Sequence, residues 1–151
     1  MNPAANTTLD DVLLADCQAL AAFRYQLRRF LAVSGDLTRR AGLAPQQHQL
    51  MLALRGVCAS QTPTVRLIAE WLQIRQHSAG ELVDRLVAKG LVVRTGDPAD
   101  RRHVLIALTP EGQDRLAPLV RPALQALADS GPDLMQALSD VIAHATRHAS
   151  G

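Results

Sequence analysis

Aromatic residues are scarce in this chain: one Trp, one Tyr and two Phe make up 3% of its 151 residues. Proteins that grip single-stranded nucleic acid by base stacking need a platform of such rings, so that class is excluded. Cysteine is as rare, with Cys17 and Cys58 far apart in sequence and in no zinc-ligand spacing. No disulfide framework is expected, and reduced thiols are the default. No apolar run approaches the roughly 18 residues that a membrane helix needs, and no basic residue precedes an apolar stretch between Met1 and Asp11. Neither a membrane span nor a signal peptide is expected, and the chain reads as cytoplasmic. A P-loop, a glycine-rich dinucleotide turn, a nucleophile elbow and a metal-ligand triplet are all missing, so an enzyme, a metal and a cofactor are not expected. Charge of one sign is lacking too: 16 Lys and Arg against 14 Asp and Glu leave a net +2. That sum does not point to nucleic acid by itself, and where the arginines sit matters more.

What is present is a helical chain with one short β interlude. At 48% hydrophobic and 20% charged residues, it reads as a single domain able to bury about 68–70% of its extended surface. Apolar residues recur at helical spacing from Leu9 through Leu31, behind Thr8 as N-cap and the acids Asp10 and Asp11. This first helix runs on toward Ala41, with Ser34-Gly35 as a weak point and Gly42 as its stop. Its apolar stripe is longer than a small core can cover, which implies a second chain. Pro45 opens a second helix carrying Leu50, Met51, Leu54, Val57 and Cys58, and Gln61-Thr62-Pro63 breaks it. Thr64 caps a third, short helix with Leu67, Ile68, Ala69 and Leu72 inward and Trp71 partly buried. After Gln73-Ile74-Arg75 another helix carries Ala79, Leu82, Val83, Leu86 and Val87 on one face, and Gly90 ends it. Its other face is Gln76, His77, Ser78, Gly80, Glu81, Asp84 and Arg85. Two short helices across a three-residue turn describe a helix-turn-helix.

The runs Leu91 to Thr95 and Val104 to Thr109 are short and rich in β-branched and aliphatic residues, and pair as a hairpin around the polar loop Gly96 to His103. Eight residues is long for such a loop. It carries Asp100, Arg101 and Arg102, and Asp100 is placed to hold one arginine in a charge-assisted pair. Taken alone, a charged tip is a solvated turn. Following directly on a helix-turn-helix, it becomes a wing. The major groove admits the Gln76 to Arg85 helix, and an arginine at a loop tip suits the narrower, more negative minor groove. Beyond the wing, Thr109-Pro110-Glu111 starts a fifth helix, which Pro118 and Pro122 are expected to kink or interrupt and Asp129-Ser130-Gly131-Pro132 to end. A sixth follows, with Leu134, Met135, Leu138, Val141, Ile142 and Ala145 on one face.

The wing resembles that of the MarR family of bacterial transcriptional regulators. Its pattern of Asp-x-Arg, three residues, an aliphatic, one residue and Leu-Thr is met by Asp100, Arg102, Ile106, Leu108 and Thr109. The likeness extends through Leu82 to Val92 and back to Gly42 to Gln47, covering roughly residues 40 to 113. The expected fold is mainly α with a small two-stranded β-hairpin wing, a winged helix-turn-helix with N- and C-terminal dimerisation helices. Residues 1–151 form one winged-helix domain, with dimerisation helices at 8–42 and 110–148 and a DNA-binding lobe at 45–109. The resemblance implies a homodimer that binds a pseudo-palindromic operator in double-stranded DNA. Arg75, Gln76, His77, Ser78 and Arg85 would read the major groove, and Arg102, oriented by Asp100 and next to Arg101, would enter the minor groove. It also implies a repressor, or less often an activator, whose DNA affinity falls when a small, often aromatic or phenolic, effector settles between the dimerisation helices and the DNA-binding lobe.

Other residues have plainer readings. Cys17 is expected to pack in the core, since neighbouring Asp16 discourages a thiolate and its surroundings differ from the family's peroxide-sensing branch. His144 and His148 have the i,i+4 spacing of a metal pair but no carboxylate or cysteine beside them. His48 is expected at a helix surface or interface, His77 at a phosphate or base edge, and Glu81 in an i,i+4 pair with Arg85. Ala44 stands where family members often have a capping threonine. The rival reading is a winged helix used only for protein contacts, against which Arg101 and Arg102 count.

Overall fold

The computed structural model describes residues 9–57 and 60–149, without the side chains of Leu9, Asp10 and His148. Thr8 as N-cap, Cys58 and the ring of His148 therefore lie outside the described residues. In chain order the elements are α1 (Leu9–Arg40), α2 (Pro45–Gly56), α3 (Val65–Leu72), α4 (Gln76–Ala88), β1 (Val92–Gly96), β2 (Val104–Leu108) and α5 (Pro110–Ala149). The chain divides into two compact units, one spanning Gly35–Ala123 and the other made of the described residues on either side of it. No described helix is long and apolar enough to cross a membrane.

The unit Gly35–Ala123 holds the winged helix. Gly42, at φ +77, ends α1 in a conformation that a side chain would disfavour. Pro45 then starts α2, and in place of a capping side chain at Ala44 the Gln47 side-chain Oε1 accepts from the Ala44 amide at 3.1 Å. Thr64 caps α3 by accepting from the Leu67 amide at 3.2 Å. Gln73 takes the left-handed conformation at φ 52, and Ile74 packs on the core from the turn. Leu50, Met51, Ile68, Ala79, Val83, Leu86, Leu91, Ile106 and Leu116 are buried together. Each larger one contributes roughly 1.5–3 kcal/mol by leaving water. Lys89 ties the end of α4 to the α1–α2 turn, donating to the Gly42 carbonyl and to Gln47 Oε1 at 3.1 Å each.

In this unit burial departs from expectation at Trp71, Val87 and His48. Trp71 is 56% exposed, because α3 turns only Ile68 and Ala69 fully into the core. Val87 lies at the edge of the α4 stripe and is exposed. His48 is buried rather than at a surface, since the covered face of α2 is broad enough to take in Gln47 and His48 beside Leu50, Met51 and Leu54. Its Nε2 has no hydrogen-bond partner, and burial pushes its pKa below the ordinary value. In the unfolded chain the ring takes up a proton near pH 6.5, and in the folded chain only at lower pH. Stability is thus full above about pH 6.5 and falls as the pH drops toward the folded value. Urea midpoints at pH 7.5 and 5.5 check this: His48→Leu, which removes the proton site, is expected to lose less stability on acidification than the parent chain. Equal losses would show that His48 does not set the slope.

In the other unit, α1 and α5 meet at polar points. His144 Nδ1 lies 2.8 Å from Asp16 Oδ1, both half-buried, and Arg29 lies 3.6 Å from Asp133. Cys17 is exposed, correcting its expected place in a core: this unit has one buried residue among the described residues, Ala137. The C-terminal segment is corrected as well, since α5 runs unbroken through Pro118, Pro122 and Pro132, leaving no separate sixth helix. All three prolines are exposed, so the carbonyls deprived of a donor face water, and Gly131 has no Cβ to clash with the ring of Pro132.

Candidate nucleic-acid interface

Helix α4 begins at the helix-turn-helix turn with Arg75 as its N-cap residue and buries Ala79, Leu82, Val83 and Leu86. Burying that stripe leaves Arg75, Gln76, His77, Ser78, Glu81, Asp84 and Arg85 exposed, as the periodicity requires. One pairing differs from expectation. Glu81 lies 3.4 Å from His77 Nε2, one turn toward the N-terminus, and not against Arg85. Both partners are four residues from Glu81, so helix geometry permits either. Arg85 is left exposed to solvent.

The hairpin pairs Val92 with Leu108 and Gly96 with Val104. Its strand ends one residue later than the pattern implies, because Gly96 joins the ladder. Ile106 and Val92 are buried, and the Ile106 amide also donates to the Pro63 carbonyl at 2.8 Å, fastening the wing to the segment before α3. At the tip, the Asp97 amide donates to the His103 carbonyl and the Ala99 amide to Asp97 Oδ1, closing the loop on itself. Within it, Arg102 Nε donates to Asp100 Oδ1 at 3.1 Å and Nη2 to Oδ2 at 3.2 Å, a two-pronged pair. The Arg102 amide donates to the same carboxylate at 3.0 Å. Arg102 remains 89% exposed while Asp100 is 30% exposed. The acid is thus the anchored member and the guanidinium the presented one. The side-chain bond from Arg102, then its amide, hold the Asp100 carboxyl below its ordinary range, so it is ionised at neutral pH. Arg101 is exposed beside the pair.

The sequence patterns missed Arg94. It stands opposite Ile106 in the ladder, on the core side of a strand whose partner there is 1% exposed. From that position it reaches α4, with Nη1 donating to Asp84 Oδ1 and Nη2 to the Gly80 carbonyl at 3.5 Å. The available signal was a charged residue at an inward position of an alternating strand. Among the described residues no three His, Cys, Asp or Glu side chains converge as a metal site would require.

Residues 41–103, which run from the turn after α1 through the wing loop, match the sequence pattern of the MarR family. No curated protein sequence matches the chain significantly. Among solved structures the chain is similar to BpsR of Bordetella bronchiseptica, whose DNA binding is regulated by 6-hydroxynicotinic acid. Identity is 26%, with 89% of this chain and 99% of that one covered at a TM-score of 0.63. It is also similar to CouR of Rhodococcus jostii bound to p-coumaroyl-CoA, at 26% identity, 76% and 84% coverage and a TM-score of 0.60. A variant of S. aureus MepR bound to an oligodeoxyribonucleotide shares the fold at 19% identity, 85% and 93% coverage and a TM-score of 0.57.

Proposed function

The chain belongs to the MarR family of winged-helix transcription regulators, and from that premise we propose that it is a homodimeric, effector-responsive repressor of transcription. It is a DNA-binding protein of the cytoplasm and not an enzyme. One observation carries this reading: a helix-turn-helix with a polar outer face continues into a hairpin whose tip presents Arg102 from a two-pronged pair with Asp100. Arg75, Gln76, His77, Ser78 and Arg85 lie on the outward face of α4 or at its start, where a helix entering the major groove meets base edges and phosphates. Arg101 and Arg102, exposed at the wing tip, would meet the minor groove beside it.

Dimerisation is supported by apolar residues left in water. Leu13, Leu14, Leu20 and Tyr25 on α1 and Leu124, Met135, Leu138 and Ile142 on α5 are each 42% exposed or more. A stripe of that extent is what a second copy of the chain would cover. Two copies related by a two-fold axis would read a pseudo-palindromic site with half-sites about one helical turn apart. The effector is a small aromatic or phenolic compound, in keeping with 6-hydroxynicotinic acid for BpsR and p-coumaroyl-CoA for CouR. It acts by preferring the lobe spacing that does not fit DNA.

Selection of duplexes from a random pool by the full-length protein tests the reading. The expected result is an inverted-repeat consensus, and a pool that stays random would favour the protein-contact role. Sedimentation at micromolar concentration is expected to give a dimer. A monomer there would remove the two-fold argument.

A further inference from the structure

The contact between Arg94 and Asp84 joins the wing to the recognition helix at one point, and its chemistry is out of keeping with both surroundings. Val92, Arg94 and Gly96 share one face of strand β1, of which only Val92 is buried, and Arg94 stands opposite the buried Ile106, where an apolar residue would extend the buried face. Asp84 lies on the outward face of α4, where a lone carboxylate would repel DNA phosphates. Gln76, Gly80 and Asp84 follow one another at four-residue intervals along α4. They form a single ridge, and Arg94 bonds to its second and third members.

Stability does not account for the pair. The Asp84 side chain is 65% exposed and that of Arg94 35%, and ion pairs so open to solvent add little to folding. What two hydrogen bonds from one planar guanidinium do provide is direction. They fix the angle at which β1 leaves α4, and the angle of β1 sets where the Asp100–Arg102 tip stands relative to Gln76 at the start of the recognition helix.

The geometry points to Arg94 and Asp84 as a clamp that sets wing position, making both positioning residues for the minor-groove contact of Arg102. This rests on the reading of the chain as a DNA-binding regulator. It separates from simple electrostatics by sign. Asp84→Asn removes a negative charge from the DNA-facing helix, so charge alone predicts tighter binding and a steeper salt dependence. The clamp predicts weaker binding, because the wing is no longer held in register.

Two measurements on the full-length protein decide it. Without DNA, amide hydrogen exchange across residues 93–105 is expected to be at least about twofold faster in Asp84→Asn, the low end of coupling between contacting residues. Exchange in α2 and the thermal midpoint are expected to stay as in the parent. With the duplex that the parent protein selects from a random pool, Asp84→Asn is expected to bind about threefold or more weakly. Arg102→Ala is expected to cost less in the Asp84→Asn background than in the parent, whereas a variant that merely unfolds more readily would show the full Arg102 effect. Unchanged wing exchange, equal or tighter duplex binding, or full additivity with Arg102→Ala would each overturn the clamp. A parent protein that selects no duplex would instead fail the functional reading, and the exchange data would still decide the clamp.

Discussion

Gly112→Ala is expected to destabilise the winged-helix unit by about 3 kcal/mol, the upper end for forcing atoms into a packed site. A Cβ on Gly112 would lie 2.0 Å from the Leu91 carbonyl oxygen and 3.0 Å from its carbon. Both are main-chain atoms and cannot swing aside as the end of a long side chain can. The contact is close because α5 starts against the root of the wing. The Thr109 amide donates to that same Leu91 carbonyl at 3.1 Å, the Thr109 hydroxyl donates to the Gly90 carbonyl at 2.6 Å, and the Gly112 amide donates to the Thr109 hydroxyl at 3.0 Å. Moving the first turn of α5 to make room would loosen all three. Backbone preference works in the opposite direction, since an alanine inside a helix is favoured over glycine by about 0.8–1 kcal/mol. Gly80→Ala isolates that preference: Gly80 is inside α4 and an added Cβ would meet nothing within 4 Å. Thermal denaturation is expected to show Gly112→Ala melting roughly 10 °C lower and Gly80→Ala slightly higher than the parent. A Gly112→Ala midpoint equal to or above the parent would mean that the α5–wing junction is not packed as described.

The elements of the winged helix were legible because each is specified locally. Thr64 caps α3, Gln73 to Arg75 is too short for anything but a turn between helices, Gly42 and Gly90 end their helices at positive φ, and the β-branched run at Val92 and Val93 stops at Gly96. The Asp100–Arg102 pair was legible for the same reason, its partners being two residues apart. What the sequence concealed depends on surroundings that local rules do not contain. Pro118, Pro122 and Pro132 read as breaks, yet each faces solvent in an unbroken α5. His48 reads as a surface residue, yet the covered face of α2 takes it in. Cys17 reads as a core residue, yet it stands exposed where few side chains are fully buried. Arg94 and Asp84 are ten residues apart and meet only because the chain leaves α4 and returns beside it as β1. Glu81 had two partners at equal spacing, and a choice between His77 and Arg85 is made by side-chain direction, which spacing does not carry.

Arg102→Ala is expected to weaken binding to the selected duplex by roughly tenfold or more, the range for losing one well-placed arginine contact. It is also expected to reduce the slope of log affinity against log salt by about one, since one phosphate-neutralising charge is lost. The argument rests on what the wing has already arranged before DNA arrives. Arg102 is 89% exposed, but its Nε and one Nη are committed to Asp100 and its amide to the same carboxylate. A long side chain free in solvent would give up rotamer entropy on binding. Here part of that ordering is done in the free protein, while the other guanidinium nitrogen keeps its donors for the groove. Asp100→Ala separates ordering from charge. Removing an acid should favour DNA on electrostatic grounds, so weaker binding by this variant would identify orientation as the role of Asp100. The pair should also be insensitive to pH across the range in which DNA is bound. Because the Asp100 carboxyl is held below its ordinary value, the interaction is present above that value and is lost only as the pH falls through the lowered one. Titrations at several salt concentrations, at pH 7.5 and 6, check these expectations together. An Arg102→Ala protein with the affinity and salt slope of the parent would remove the arginine from the interface and leave α4 as the element that meets DNA.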